Sequence, residues 1–280
     1  MKRLIVLLTV LILVLPGCIG KKNMAIDFTE VDQQRVDFGA TSGLPKVPFQ
    51  DGNDLMSMVL IFEVDGFNAA SPEISYILSV VDPNAVPVSW GMSVKLDDYY
   101  NTEAISFAYV GWDASPYNND WSTPNNSLAV GGKYVVVITY DRALKANDPI
   151  IYINGTPQVL TQNVTANAAG NALLDDESVF ALGGLATWAT RKSLNGRVFY
   201  FAGFQNRILT QEEVSSITEQ RSAKEFEPDF VIEPNGADGV QQFDGAVLAA
   251  GNVITEKISG YKGVPSGSPL GYAEDYLHAR

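Results

Sequence analysis

Apolar residues in this chain come in short runs separated by clusters of Gly, Pro, Asn and Asp, a spacing that suits strands better than helices. Val135, Val136, Val137 and Ile138 would place side chains on both faces of a strand, as at the centre of a stacked pair of sheets. Residues 56–64 (MSMVLIFEV) read the same way. Residues 88–96 alternate instead: Val88, Trp90, Met92, Val94 and Leu96 point one way, and Ser89, Gly91, Ser93 and Lys95 the other. That pattern predicts a half-buried strand with one wet face. Further strands are predicted at 26–28, 36–38, 75–81, 105–112 and 178–182. Residues 150–153 end at Asn154-Gly155, the pair best suited to the two positive-φ positions of a type I′ turn, so a return strand through Val159 is predicted. Thr210 and Glu213 form a capping box, and Leu209 and Val214 stand where a hydrophobic staple would pack. A short helix to about residue 220 should follow. Residues 39–53 and 111–126 read as loops by their Pro, Gly, Asn and Asp content.

Composition sharpens the picture in two places. A formal net charge of −13, from 19 basic and 32 acidic residues, argues against nucleic acid as a partner. The single cysteine, Cys18, leaves no disulfide available within the chain. Lys2 and Arg3 precede an apolar run from Leu4 to Leu15, shorter than the roughly 20 residues a membrane span takes and of the length a signal peptide uses. Leu15-Pro16-Gly17-Cys18 resembles a bacterial lipobox, with Pro16 departing from the small residue usual there. The resemblance implies lipidation of Cys18 and an extracytoplasmic, membrane-anchored or secreted protein. The expected layout is a signal segment over 1–18, a tether over 19–23, one domain over 24–224 and an extended tail over 225–280. That tail would lie either on the domain or on a neighbouring chain.

Several motifs occur in the order of one family. Residues 138–141 (I-T-Y-D) and 151–155 (I-Y-I-N-G) resemble the central signature of the laminin G-like, concanavalin A-like jelly rolls, with Tyr134 where a Trp is usual. Gly196, Arg197, Asn206, Arg207 and Leu209 resemble that family's closing signature. The resemblance spans about residues 24–220. It implies an all-β, two-sheet antiparallel β-sandwich of the concanavalin A-like jelly-roll type, with one short helix near the end of the domain. It also implies carbohydrate or another surface glycoconjugate as a ligand, and calcium as a possible cofactor with no assignable ligand set.

Catalytic chemistry finds little support in the residues. The only histidine is His278, near the end of the sequence, which disfavours both a Ser-His-Asp arrangement and a zinc site. Laminarinase-like jelly rolls carry E-x-D-x-E on one strand. Here Glu63 and Asp65 match the first two acids, and Phe67 stands in place of the third. Binding fits better, because sugar sites combine exposed aromatic platforms with Asn and Asp hydrogen-bonding groups. The segment 111–126 offers both: Trp112, Tyr117, Asn118, Asp120 and Trp121 are the expected ligand-binding residues, with Tyr117 and Trp121 expected to be exposed. Asp113 and the cluster Asp175-Asp176-Glu177 are candidate calcium ligands, and Trp188 is a further aromatic candidate. The expectation is a non-enzymatic binding domain. Its rivals are a structural subunit of a coat, virion or appendage that forms a homo-oligomer through its tail, and a glycoside hydrolase.

Overall fold

The computed structural model describes residues 22–28, 35–40, 54–67, 74–82, 90–96, 102–110, 116, 118–144, 146–166, 179–184, 192–232, 254–255, 262–266 and 271–276. In chain order the strands are β1 (Lys22–Phe28), β2 (Arg35–Ala40), β3 (Leu55–Val64), β4 (Ser75–Asp82), β5 (Trp90–Leu96) and β6 (Ile105–Val110). They continue with β7 (Asn118–Ser122), β8 (Lys133–Asp141), β9 (Ile150–Ile153), β10 (Thr156–Pro157), β11 (Thr161–Val164) and β12 (Val179–Leu182). The last are β13 (Lys192–Ser193), β14 (Gly196–Gln205), β15 (Phe230–Ile232), β16 (Ile254–Thr255), β17 (Lys262–Ser266) and β18 (Gly271–Tyr276). A single α-helix among the described residues, α1 (Gln211–Gln220), lies between β14 and β15.

These strands make two sheets. The first has eight strands in the order β10-β9-β8-β3-β14-β1-β18, with β15 also on β14; the second has ten in the order β11-β7-β6-β5-β4-β12-β2-β17-β16, with β13 also on β4. Pairing is antiparallel except for the short β13, which runs parallel to β4. The protein is therefore an all-β two-sheet sandwich, as its sequence pattern predicts.

Strands β3 and β8 sit side by side in the interior of the first sheet, and their two-faced apolar runs serve two separate cores. Met58, Leu60, Val136 and Ile138 face the second sheet and join the main core. Val59, Ile61, Val135 and Val137 face outward, where Val214 and Ile217 of α1 cover them. Each such fully buried aliphatic side chain contributes about 1.5–3 kcal/mol relative to exposure. Thr210 caps the helix as predicted. Its hydroxyl accepts from the Glu213 N–H (3.3 Å), while Glu213 accepts from the Thr210 N–H (2.8 Å). Leu209 and Val214 are both buried in the outer core, completing the staple. Ser57 on β3 accepts from the Leu209 N–H and donates to the Arg207 carbonyl, which ties the helix entry to the sheet.

Some expectations need correcting. Asn154 and Gly155 do adopt φ of 49° and 79°, as a type I′ turn requires, but the return strand stops at Pro157 and Val159 is exposed. Pro157 has no N–H to continue the ladder. Strand β1 begins at Lys22, inside the segment expected to be a tether. Of the two placements expected for the segment beyond residue 225, its described strands take the first: β15 pairs with β14, β17 with β2 and β18 with β1.

Candidate functional site

Strands β5, β6, β7 and β11 form one side of the second sheet, and alternation sorts their side chains onto two faces. Met92, Val94, Leu96, Ile105, Phe107, Tyr109 and Trp121 turn into the main core. The opposite face carries Ser93, Lys95, Ser106, Ala108, Asn118, Asp120 and Ser122. The register aligns Lys95 with Ser106 and Ser106 with Ser122, and likewise Ser93 with Ala108 and Ala108 with Asp120.

This outer face was expected to be wet, yet its centre is buried and tightly bonded. Lys95 on β5 reaches across β6 to Asp120 on β7, with Nζ 2.8 Å from Oδ2 and side-chain exposures of only 8% and 7%. Two strand spacings, roughly 9–10 Å, separate the two backbones. A lysine can bridge that distance here because β6 offers only the small Ser106 and Ala108 in between. Asn163, next to Val164 on β11, donates through Nδ2 to Asp120 Oδ1 (3.3 Å) and to Ser122 Oγ (2.7 Å). Ser122 and Ser106 hydroxyls lie 2.7 Å apart. Lys95, Asp120, Asn163, Ser122 and Ser106 thus form one connected polar floor. Ser93, Asn118 and Asn163 on it are half-buried, and the other four are buried.

Of the five residues predicted to bind ligand, the structure brings Asn118 and Asp120 onto this face. Trp112 and Tyr117 lie outside the described residues. Trp121 does not serve as an exposed platform: it is 1% exposed, stacks on Phe107 (6.0 Å between centroids) and meets Tyr140 edge-on (5.4 Å). Its indole N–H donates to Asp148 Oδ1 at 2.8 Å. The cause is that residues 118–122 form a strand rather than a loop, so every second side chain must face inward. Burial pushes the neighbouring Tyr140 phenol well above its ordinary pKa and keeps it neutral. Sequence reasoning missed Lys95, Ser106, Ser122 and Asn163. Lys95 and Ser106 were visible as the polar positions of alternating strands, whereas Ser122 lay in the segment read as a loop.

The acids considered for hydrolysis sit elsewhere. Glu63 Oε1 and Asp65 Oδ1 both engage Arg197 Nη2, at 2.9 and 2.7 Å, and Asp65 Oδ2 also accepts from Arg197 Nε. Among the described residues no group of three or more His, Cys, Asp and Glu side chains is placed to hold a metal ion. Asp113, Asp175, Asp176, Glu177, Trp188, Cys18 and His278 lie outside the described residues.

By fold the chain is an all-β two-sheet sandwich whose second sheet carries a buried polar network on its outer face. No protein-family model matches the sequence, and no curated protein does. Among solved structures, the chain is similar to a provisionally assigned carbohydrate-binding protein from Bacteroides ovatus, at a TM-score of 0.51 and 16% identity, covering 92% of this chain and 61% of that one. It is also similar to the CBM40 module of a Ruminococcus gnavus IT-sialidase bound to α2,3-sialyllactose, with a TM-score of 0.47, 13% identity, and 70% and 97% coverage. A Trypanosoma rangeli sialidase in complex with sialic acid follows at 0.42 and 18%, covering 60% of this chain and 23% of that one.

Proposed function

We propose that this protein is a non-enzymatic, laminin G-like carbohydrate-binding domain that works outside the cytoplasmic membrane, held there through Cys18. One observation carries the reading: the linked floor of Lys95, Asp120, Asn163, Ser122 and Ser106 on the outer face of a sheet. Hydroxyls and amides that both donate and accept, held in place by this network at the half-buried Ser93, Asn118 and Asn163, match the alternating donors and acceptors of a sugar ring. Trp112 and Tyr117 belong to the connection between β6 and β7, two of the floor strands, and would add apolar surface for the sugar's CH face. Glu63 and Asp65 share one guanidinium, which is not the arrangement of a free acid facing a free nucleophile.

The test is a glycan-array screen of the purified protein with and without calcium, followed by calorimetry on the hits. Asn163→Ala should weaken binding about tenfold, the loss expected for one or two hydrogen bonds, and cost about 1–3 kcal/mol of stability because the buried Asp120 and Ser122 lose its donor. A protein that binds no glycan, or whose binding ignores Asn163, would refute the assignment.

A further inference from the structure

We infer that the floor formed by β5, β6, β7 and β11 takes uncharged glycans and discriminates against sialylated or uronate-bearing ones. This inference rests on the carbohydrate-binding reading above. Lys95 is the only basic residue in β4, β5, β6, β7 and β11, so it is the only cation those strands could offer to an acidic sugar. Its ammonium is already committed to Asp120 at 2.8 Å, and both side chains are almost fully enclosed. The remaining groups of the floor and its border are neutral: Ser93, Ser106, Ser122, Asn118 and Asn163.

Recognition of a carboxylate in a recess calls for an available cation, best an arginine that can grip both oxygens. A sialic acid or uronate entering here would have to draw Lys95 away from Asp120, leaving a buried carboxylate beside the ligand's own. Two like charges in such poorly solvated surroundings repel strongly. The chain's net charge of −13 adds long-range repulsion of anions. A neutral sugar meets none of these penalties. Its hydroxyls can bond to Ser93, Asn118 and Asn163, the half-buried members of this face, while the ion pair stays closed.

The experiment uses an array that pairs neutral oligosaccharides with sialylated or uronate-bearing counterparts, lactose beside α2,3-sialyllactose among them, with calorimetry on the pairs that bind. The neutral member should bind about tenfold or more tightly than its acidic partner. Its affinity should change by less than about twofold between roughly 50 and 500 mM salt, because no ionic contact is screened. Asp120→Asn, which keeps the shape and frees Lys95, should narrow or invert the preference. Acidic glycans bound as tightly as neutral ones, or binding that collapses with salt, would overturn the selectivity and leave the carbohydrate reading standing. Binding to no glycan of either kind would overturn both. Should Asp120→Asn fail to fold, the paired ligands and the salt dependence on the wild-type protein decide the question without it.

Discussion

Trp121 has two tasks in the core. Its ring fills the space between Phe107 and Tyr140, and its indole N–H reaches Asp148 on the connection between β8 and β9. Trp121→Ala should therefore lower unfolding stability by about 3–5 kcal/mol in denaturant titration, the usual cost of emptying an aromatic core site. A surface platform would lose less than about 0.5 kcal/mol and would affect ligand binding alone. The same residue shows why half of the candidate site was hard to read. Asn118-Asn119-Asp120-Trp121-Ser122 has the composition of a loop, and only its place beside β6 makes it a strand. Asn119 is the misleading member: it faces inward, and its Oδ1 is satisfied by the Ala166 N–H at 2.7 Å.

Elements whose signals are local were legible in full. The capping box at Thr210 needs only residues 210–213, and the Asn154-Gly155 turn needs only its own two φ angles. Arg207 adds a contact that composition could not show, bonding both Glu213 and the Phe226 carbonyl beyond the helix. Burial alone would raise the Glu213 carboxyl, but the Thr210 N–H and the Arg207 guanidinium together hold it below its ordinary value of 4.5. A depressed carboxylate pKa stabilises the fold above the unfolded value, and that contribution is lost as pH falls through the folded one. Thermal unfolding from pH 7 down to pH 3 should accordingly show a decline that begins near pH 4.5. Glu213→Gln should reduce that decline and cost about 1 kcal/mol at neutral pH, the worth of a lost cap partner.

Over the whole molecule, the two-layer architecture was legible because β3 and β8 are apolar on both faces, and only an interior strand tolerates that. The role of the last residues was not legible. Nothing in Gly271–Tyr276 (GYAEDY) says which edge it will join, since a ladder is made by backbone groups that every sequence has. The structure places β18 along β1, on the side away from β14, and β17 along β2, on the side away from β12. Removing everything after residue 232 would uncover β1 and β2 as unpaired edges. The truncated protein should associate, seen as a rise in mass by light scattering, while the full chain stays smaller; a truncated form that remains monomeric would show that the ladders to β17 and β18 protect nothing. Because Lys22 lies opposite Tyr276, one sheet joins two segments far apart in the sequence. Synthesis therefore delivers β1 before its outer neighbour exists, and their pairing must close a long intervening loop, the kind of contact that forms slowly.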